Sequence, residues 1–175
     1  MMPGQDDTRR IDTPVGPVAI TACNGEITAI TLQGLADSAT IEPEAIINPI
    51  ADEANQSVIT HAIEQISAYC AGTRTLFELP LMTAPTRFQA RVRDAMCAIP
   101  FGQVQSYGAL ARLLGSSPRA VGRACGANPL PIVVPCHRVV ASHGPGGYSG
   151  ADGLATIHRL LLLEGRRDLL DLFGH

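Results

Sequence analysis

The residue pair best suited to covalent chemistry is Cys136-His137, which follows a proline-bracketed apolar stretch, PIVVP, at residues 131–135. A thiol becomes a strong nucleophile when a base removes its proton, and imidazole commonly serves as that base near neutral pH. Prolines restrict the backbone, so this approach would fix the direction in which the thiol points. The pair is therefore a candidate nucleophile with its base, while a buried structural cysteine is the alternative.

The route by which Cys136 would lose its proton is less clear from the pair itself. The apolar stretch before it predicts a buried, extended segment. Neighbouring side chains of an extended chain point to opposite faces, so direct contact between Cys136 and His137 is not expected. The local pattern leaves the proton acceptor open.

Positive charge is concentrated in the part of the chain that leads up to this pair. Residues 1–86 carry a net charge of −8, residues 87–138 carry +6 and residues 139–175 carry −1, within a total of −3. All 13 basic residues are arginines, whose forked guanidinium suits contacts to phosphate. The basic segment predicts a nucleic-acid partner, and a solvated basic face is the alternative.

Short helices with clear start and stop signals fill this basic segment. A helical pattern over residues 88–99 ends at Pro100. Two further patterns each begin after a serine, a good N-cap, and end at or just before a glycine: residues 107–114 and 118–126. Two such helices joined by a short turn are typical of a helix-turn-helix, whose second helix carries Arg119 and Arg123. An ordinary helical hairpin with surface arginines is the alternative.

The acidic first part of the chain predicts a small α/β domain. Alternating apolar positions on either side of Asn24-Gly25 indicate a β-hairpin, and a helical pattern over residues 58–70 stops at Gly72. A short strand at residues 76–81 is expected to rejoin the hairpin. This part of the sequence holds no catalytic constellation.

The remaining segments complete a prediction of two domains. A glycine-rich loop is expected at residues 144–150, followed by a last helix at residues 154–164. We predict the α/β domain at residues 1–84 and a mostly α-helical domain at residues 85–175. The second domain would hold the helix-turn-helix and the thiol.

Composition excludes several classes of protein. No apolar stretch approaches the roughly 20 residues that span a bilayer, and four charged side chains stand within residues 1–10, where a signal peptide would be apolar. The five cysteines are odd in number and widely spaced, which favours free thiols over a disulfide framework. The sequence predicts a cytoplasmic protein with no membrane partner.

Several motifs together resemble the O6-alkylguanine-DNA alkyltransferases, also called methylated-DNA–protein-cysteine methyltransferases. They stand in the family's order: IPFG at 99–102, SYG at 106–108, RAVG at 119–122, NP at 128–129, PIVVPCHRV at 131–139, GYSG at 147–150, LL at 160–161 and EG at 164–165. TPVGP at 13–17 is a fainter similarity.

The resemblance implies direct-reversal DNA repair. One alkyl group would move, irreversibly and once per molecule, from O6 of guanine in duplex DNA to Cys136, with no cofactor. The fold implied is an RNase H-like N-terminal domain and a winged-helix-like C-terminal domain. Neighbouring copies of a monomeric chain on the DNA are a further candidate partner.

The resemblance also assigns roles around the thiol. Cys136 would pass its proton through a bound water to His137, whose imidazole Glu164 would orient, as the third member of a triad does. Tyr107 would donate near a ring nitrogen of guanine so that the base leaves neutral. Asn128 would tie the helix-turn-helix to the Cys136 loop. For Tyr107, Glu164 and Asn128 the alternatives are a core tyrosine, an exposed helix-end carboxylate and a plain helix cap.

For the DNA, the resemblance implies that the damaged base leaves the duplex, because O6 is inaccessible inside it. Arg119 would fill the gap from a helix that lies in the minor groove. Ser149 would bind O6, and the backbone near Val139 would contact the base edge. The residues assigned to DNA or base binding are Arg119, Ser106, Tyr107, Ala120, Val139, Tyr148, Ser149 and Arg123.

Some features depart from the family's pattern. Arg93 stands where a tryptophan is usual, and Ala151-Asp152 is an insertion in the loop over the pocket that would affect which alkyl groups fit. Some family members bind zinc in the N-terminal domain, but Cys23, Cys70 and His61 do not make a four-ligand set, so no metal is predicted.

Two other functions are compatible with these motifs. A lesion sensor of this kind would grip alkylguanine without reacting, but such proteins lack the cysteine that this chain has at position 136. A cysteine hydrolase would instead repair more than one lesion per molecule. The mass of the protein after exposure to damaged duplex distinguishes transfer from sensing, and repair that continues past one lesion per molecule would indicate the hydrolase.

Overall fold

The computed structural model of the chain describes residues 5–32, 52–141 and 154–169. The chain divides into two compact units, Met1–Met82 and Thr83–His175. The first unit is built on an antiparallel sheet and one long helix, and the second consists mainly of short helices. The predicted combination of an N-terminal α/β part with a mostly helical C-terminal part is confirmed.

The sheet of the first unit has three antiparallel strands in the order β1-β2-β3: β1 (Asp7–Thr13), β2 (Gly16–Cys23) and β3 (Glu26–Leu32). Asn24 and Gly25 join β2 to β3 with φ of 54° and 76°. A two-residue hairpin turn of type I′ needs positive φ at both positions, which asparagine and glycine tolerate best. The predicted hairpin is confirmed, and β1 adds a strand that the sequence analysis did not identify.

Helix α1 (Glu53–Cys70) covers this sheet and confirms the predicted helix. Asp52 caps its start by accepting from the Ala54 N–H. The buried face repeats every three to four residues, which matches the helical period: Val58, Ile59, Ala62, Ile66 and Tyr69. Gly72, with φ of 72°, follows the end of the helix in the left-handed conformation that glycine adopts at low cost.

The predicted strand at residues 76–81 is wrong except at its last position. Leu81 forms a single parallel bridge with Ile27. The side chain of Gln65 takes both backbone groups of Glu78, accepting from its N–H at 2.8 Å and donating to its carbonyl at 2.9 Å. Pro80 has no N–H to donate. The backbone groups of Glu78 are thus occupied and Pro80 lacks a donor, so pairing with β3 is limited to the bridge at Leu81.

The second unit contains four helices among the described residues: α2 (Arg87–Cys97), α3 (Tyr107–Leu114), α4 (Pro118–Gly126) and α5 (Leu154–Leu163). Hydroxyl side chains of Thr86, Ser106 and Ser117 cap the first three by accepting backbone N–H groups. Gly115, with φ of 61°, ends α3 and opens the short turn to α4. The predicted α3 and α4 are confirmed, and they contact each other as a helical pair.

A short parallel pair of strands connects this helical pair to the segment that carries the thiol. Strand β4 (Gln105–Ser106) precedes α3, and β5 (Val139–Val140) begins three residues after Cys136. Ser106 lies opposite Val140 in the register. The start of α3 is therefore held close to the end of the reactive segment.

The segment at residues 131–135 is not extended, contrary to the prediction. Ile132 adopts φ of 72°, a rare conformation for a β-branched residue. The amide of Asn128 accepts from the Leu130 N–H at 3.1 Å and donates to the Val134 carbonyl at 3.0 Å, which closes the chain into a turn. The prediction failed because these hydrogen bonds of the nearby Asn128 side chain override the extended preference of an apolar, proline-rich stretch.

Candidate active site

The candidate nucleophile Cys136 begins a 3-10 turn, Cys136–Arg138. Its N–H donates to the Val134 carbonyl at 2.8 Å, and only 5 % of its surface is exposed. Successive side chains in such a turn are about 120° apart rather than on opposite faces. The expectation that the side chains of Cys136 and His137 point to opposite faces is therefore wrong, because the backbone there is not a strand.

The imidazole of His137 is fully enclosed and bound to a carboxylate. Its Nε2 lies 2.8 Å from Oε1 of Glu164, and both side chains are at most 1 % exposed. Glu164 directly follows α5, so the last helix delivers this carboxylate to the cysteine segment. The second ring nitrogen, Nδ1, is also buried and is the one that Glu164 does not bind. The structure thus brings together the nucleophile, the imidazole and the carboxylate named from the sequence.

Arg138 completes this buried cluster, in a role that the sequence motifs did not predict. Its Nε lies 3.0 Å from both oxygens of Glu164 and its Nη2 lies 2.8 Å from Oε1. Its Nη1 donates to the Ile99 carbonyl at 2.7 Å, and its guanidinium lies 5.9 Å from the centre of the Phe101 ring. One signal was available: an arginine inside an apolar run must find a buried partner.

Gly102 closes the cluster from the side of the IPFG motif. Its N–H donates to Oε2 of Glu164 at 3.0 Å. Its φ of 74° disfavours other residues, and a Cβ there would lie 3.0 Å from the Glu164 carbonyl oxygen. A glycine is needed at this position so that the chain can approach the end of α5.

These contacts set the charges of the cluster. Burial acts to raise the pKa of Glu164, but the hydrogen bonds from His137 and Arg138 outweigh burial and lower that pKa to about 2. Burial lowers the pKa of His137, and the adjacent Arg138 charge lowers it further against the opposing effect of Glu164. Glu164 is therefore ionised and His137 neutral near neutral pH, which leaves the imidazole able to accept a proton.

Tyr107 lies near the thiol at the first position of α3. Burial raises its pKa to about 12, with smaller contributions from the neighbouring Cys125 and Cys136. Its ring also packs beside Gly122 on α4, where a Cβ would lie 3.9 Å from the ring. The phenol remains protonated at physiological pH and is a hydrogen-bond donor available near Cys136.

The other predicted DNA-binding residues fall into three groups. Arg119 and Arg123 are exposed on α4, and Ala120 beside them is partly buried. Ser106 uses its hydroxyl to cap α3, while Val139 is buried in β5. Tyr148 and Ser149, with the Ala151-Asp152 insertion, lie outside the described residues.

Two family descriptions match consecutive parts of the chain. The DNA-binding domain of 6-O-methylguanine DNA methyltransferase matches residues 87–166, and the ribonuclease-like domain of the same protein matches residues 9–83.

The chain belongs to the 6-O-methylguanine DNA methyltransferase family.

Relatives and solved structures agree with this family assignment. The methylated-DNA–protein-cysteine methyltransferase of Mycobacterium tuberculosis is 36% identical over 168 residues, which cover 94% of this chain and 95% of that protein. The crystal structure of the M. tuberculosis protein in complex with DNA has a TM-score of 0.72 at 34% identity, covering 96% of this chain and 99% of that one. An O6-methylguanine DNA methyltransferase from Methanococcus jannaschii has a TM-score of 0.59 at 27% identity over 91% and 94% of the two chains.

The described residues of this methyltransferase-family chain contain neither a candidate metal site nor a candidate membrane-spanning helix. No group of three or more histidine, cysteine, aspartate or glutamate side chains there could hold a metal ion. No helix among them is long and apolar enough to cross a membrane.

Proposed function

We propose that this chain repairs DNA by direct reversal, taking the alkyl group from O6-alkylguanine in duplex DNA onto its own Cys136. The observation that carries the proposal is the enclosed cluster of Cys136, His137 and Glu164, with the Tyr107 phenol close to the thiol. The named relatives are methyltransferases that act on methylated DNA and a protein cysteine. A sulfur nucleophile suits displacement at the alkyl carbon of an aryl-ether-like oxygen.

The reaction is a single displacement. The ionised sulfur of Cys136 attacks the alkyl carbon, an S–C bond forms, and the bond between that carbon and O6 breaks with its electron pair left on the guanine. The proton that Cys136 gave up is balanced by the proton that the guanine gains. The products are a thioether on the protein and a restored, neutral guanine.

The residues around Cys136 have separate roles in proton transfer and hydrogen bonding. His137 is neutral and holds Nε2–H toward Glu164, so Nδ1 is free of that bond and serves as the acceptor, reached from Cys136 through a water. Tyr107 stays protonated because its pKa is about 12, and its O–H stabilises the charge that develops on the departing base. Asn128 is the scaffold that holds the turn before the thiol.

DNA is the partner in this proposal, and α4 is the element that meets it. Arg119 fills the space left by the flipped base and Arg123 contacts the backbone, in agreement with their exposure. Ser106, Ala120 and Val139 are the further residues that we assign to DNA or base binding. We place the helix in the minor groove, as the family resemblance implies. We also propose the RNase H-like first domain and the winged-helix-like second domain that the resemblance implies. Tyr148 and Ser149 contact the base by resemblance alone, and cytoplasmic location and neighbouring copies on DNA also stay predictions.

Mass spectrometry tests the transfer directly. The protein is incubated with a duplex that contains one O6-methylguanine, and its mass is measured intact and after digestion. We expect a gain of one methylene unit, confined to the peptide of Cys136, in a ratio of one per molecule. Cys136→Ser should show no gain, while Cys125→Ser, which alters the other buried thiol, should react as the wild type does.

Two results would contradict the proposal. An unchanged protein mass with tight binding of the damaged duplex would favour a lesion sensor. Repair of many duplexes by each protein molecule, with Cys136 left unmodified, would favour a cysteine hydrolase.

A further inference from the structure

The buried cluster contains one carboxylate and two basic groups that both bind it. Glu164 accepts from Arg138 through both of its oxygens and contacts Nε2 of His137 through Oε1. The side chains of Glu164 and Arg138 are 0 % and 4 % exposed. A single negative charge therefore faces two groups that could each be positive, in a place where an uncompensated charge is costly.

We propose that Arg138 is a positioning residue for the transfer reaction, which takes up the charge of Glu164 so that His137 remains a neutral proton acceptor with a defined tautomer. The proposal rests on the proposed function, because it concerns the base for Cys136. Arg138 itself touches neither the thiol proton nor the alkyl group in this scheme.

The geometry of the guanidinium supports this division of roles. Arginine cannot lose its proton in proteins, so the fork at Glu164 is a permanent positive charge. Its Nη1 is fixed by the Ile99 carbonyl, which keeps the plane of the fork aligned with the carboxylate. A bidentate pair of this kind holds the carboxylate in one orientation, and that orientation in turn holds the imidazole through Nε2.

The charge balance gives the same result. Burial disfavours a charged His137, but without Arg138 a protonated His137 would form a neutral ion pair with Glu164, and that pairing would raise the pKa of His137. With Arg138 present, protonation of His137 would place two positive charges against one negative charge. Besides burial, which lowers the pKa of His137, Glu164 from the end of α5 raises that pKa and Arg138 on the same turn lowers it, so Arg138 supplies the positive charge that opposes protonation.

A purely structural role for Arg138 predicts a different outcome. Loss of a buried structural arginine would slow transfer by a similar factor at every pH, through a less rigid site. Loss of a residue that keeps His137 neutral would slow transfer most at low pH, where the imidazolium forms. The pH dependence therefore separates the two roles.

The first measurement uses the wild-type protein and 15N spectroscopy of its imidazoles. Through the pH range in which an ordinary imidazole titrates, near 6.5, we expect His137 to remain neutral with its proton on Nε2. A His137 that titrates at or above that ordinary value would overturn the proposal without any variant.

The second measurement compares transfer rates in Arg138→Met, Arg138→Lys and Arg74→Met under single-turnover conditions. Methionine removes the charge, so the acidic limb of the pH profile should move upward by about one pH unit, which is about tenfold slower transfer below the limb. Lysine keeps the charge but not the fork, so the limb should move by less than about 0.3 unit. Arg74 forms an exposed pair with Glu78 and serves as the matched control, with no shift expected.

The outcomes separate the two proposals. If the wild type transfers the methyl group but the limb of folded Arg138→Met does not move, the role of Arg138 is wrong and the function stands. If the wild type does not transfer the group at all, the proposed function fails. Should Arg138→Met not fold, the wild-type spectra and the Arg138→Lys profile still decide the case, because a lysine limb shifted as far as expected for methionine would contradict a charge effect.

Discussion

Each unit of this chain buries a polar cluster, and the two clusters differ in what they can do. In the first unit, Asn55 donates to Oδ2 of Asp7 at 2.9 Å and accepts from the Gly25 N–H at 2.8 Å. Asn55 and Asp7 are 1 % and 4 % exposed. That cluster ties α1 to the hairpin, and its amide cannot titrate. It is a structural join.

The cluster of the second unit combines similar burial with groups that exchange protons. His137, Glu164 and Arg138 are each buried, and the turn that carries two of them also carries the thiol. Burial of polar groups therefore does not by itself identify an active site. A nucleophile beside a neutral base, whose partner is held ionised, is what distinguishes the second cluster.

The largest effect that would sharpen this comparison is expected from Glu164→Gln. The change leaves the Arg138 charge buried without its carboxylate, which costs about 3–5 kcal/mol of unfolding free energy by denaturant titration. Transfer should also slow, because the imidazole loses its anchor. The double change Glu164→Gln with Arg138→Met should recover much of the stability and little of the rate. If Glu164→Gln and the wild type were equally stable, the claim that Glu164 compensates the buried charge of Arg138 would be wrong.

Acid unfolding tests the same carboxylate without mutation. The pKa of Glu164 is lowered to about 2 from its ordinary 4.5, so its stabilising contribution is fully present above the ordinary value and is lost as pH falls toward 2. The shift corresponds to about 3 kcal/mol. The unfolding free energy of the wild type should decrease as the pH is lowered across this range, and that of Glu164→Gln should decrease less steeply. Parallel curves would show that Glu164 is not specially stabilised.

Asn55→Ala tests the structural cluster and should affect stability alone. It leaves the buried Asp7 carboxylate and the Gly25 N–H each short of a partner, at a cost of about 1–3 kcal/mol. The transfer rate per folded molecule should match that of the wild type, because the reacting groups are all in the second unit. A large loss of rate in fully folded Asn55→Ala would break the distinction between the two clusters.

Tyr107→Phe should have the smallest effect on stability and a moderate effect on rate. The phenyl ring keeps the packing beside Gly122 and loses only the donor, so we expect transfer about tenfold slower and unfolding free energy changed by less than about 1 kcal/mol. Single-turnover rates and denaturant titration on the same sample provide both numbers. An unchanged rate would exclude the hydroxyl from the reaction.

Local signals in the sequence were sufficient for most of the secondary structure. Capping serines at 106 and 117, Gly115 and the Asn24-Gly25 turn act on the few residues around them, and the structure has the elements that they predict. The failures came where a side chain bound backbone groups that the predicted strand or extended segment would have left available. Gln65 occupies the backbone of Glu78, and Asn128 bends the segment before the thiol.

The sequence by itself determined the reactive residue types, their order, and the family to which the motifs belong. It also placed Tyr107, His137 and Glu164 with the thiol, through resemblance. Only the three-dimensional structure decided that Cys136 and His137 share a 3-10 turn and that Arg138 binds Glu164, which is 26 residues away in sequence. The physical reason is that burial and charge pairing depend on which distant groups meet, and no short pattern contains that information.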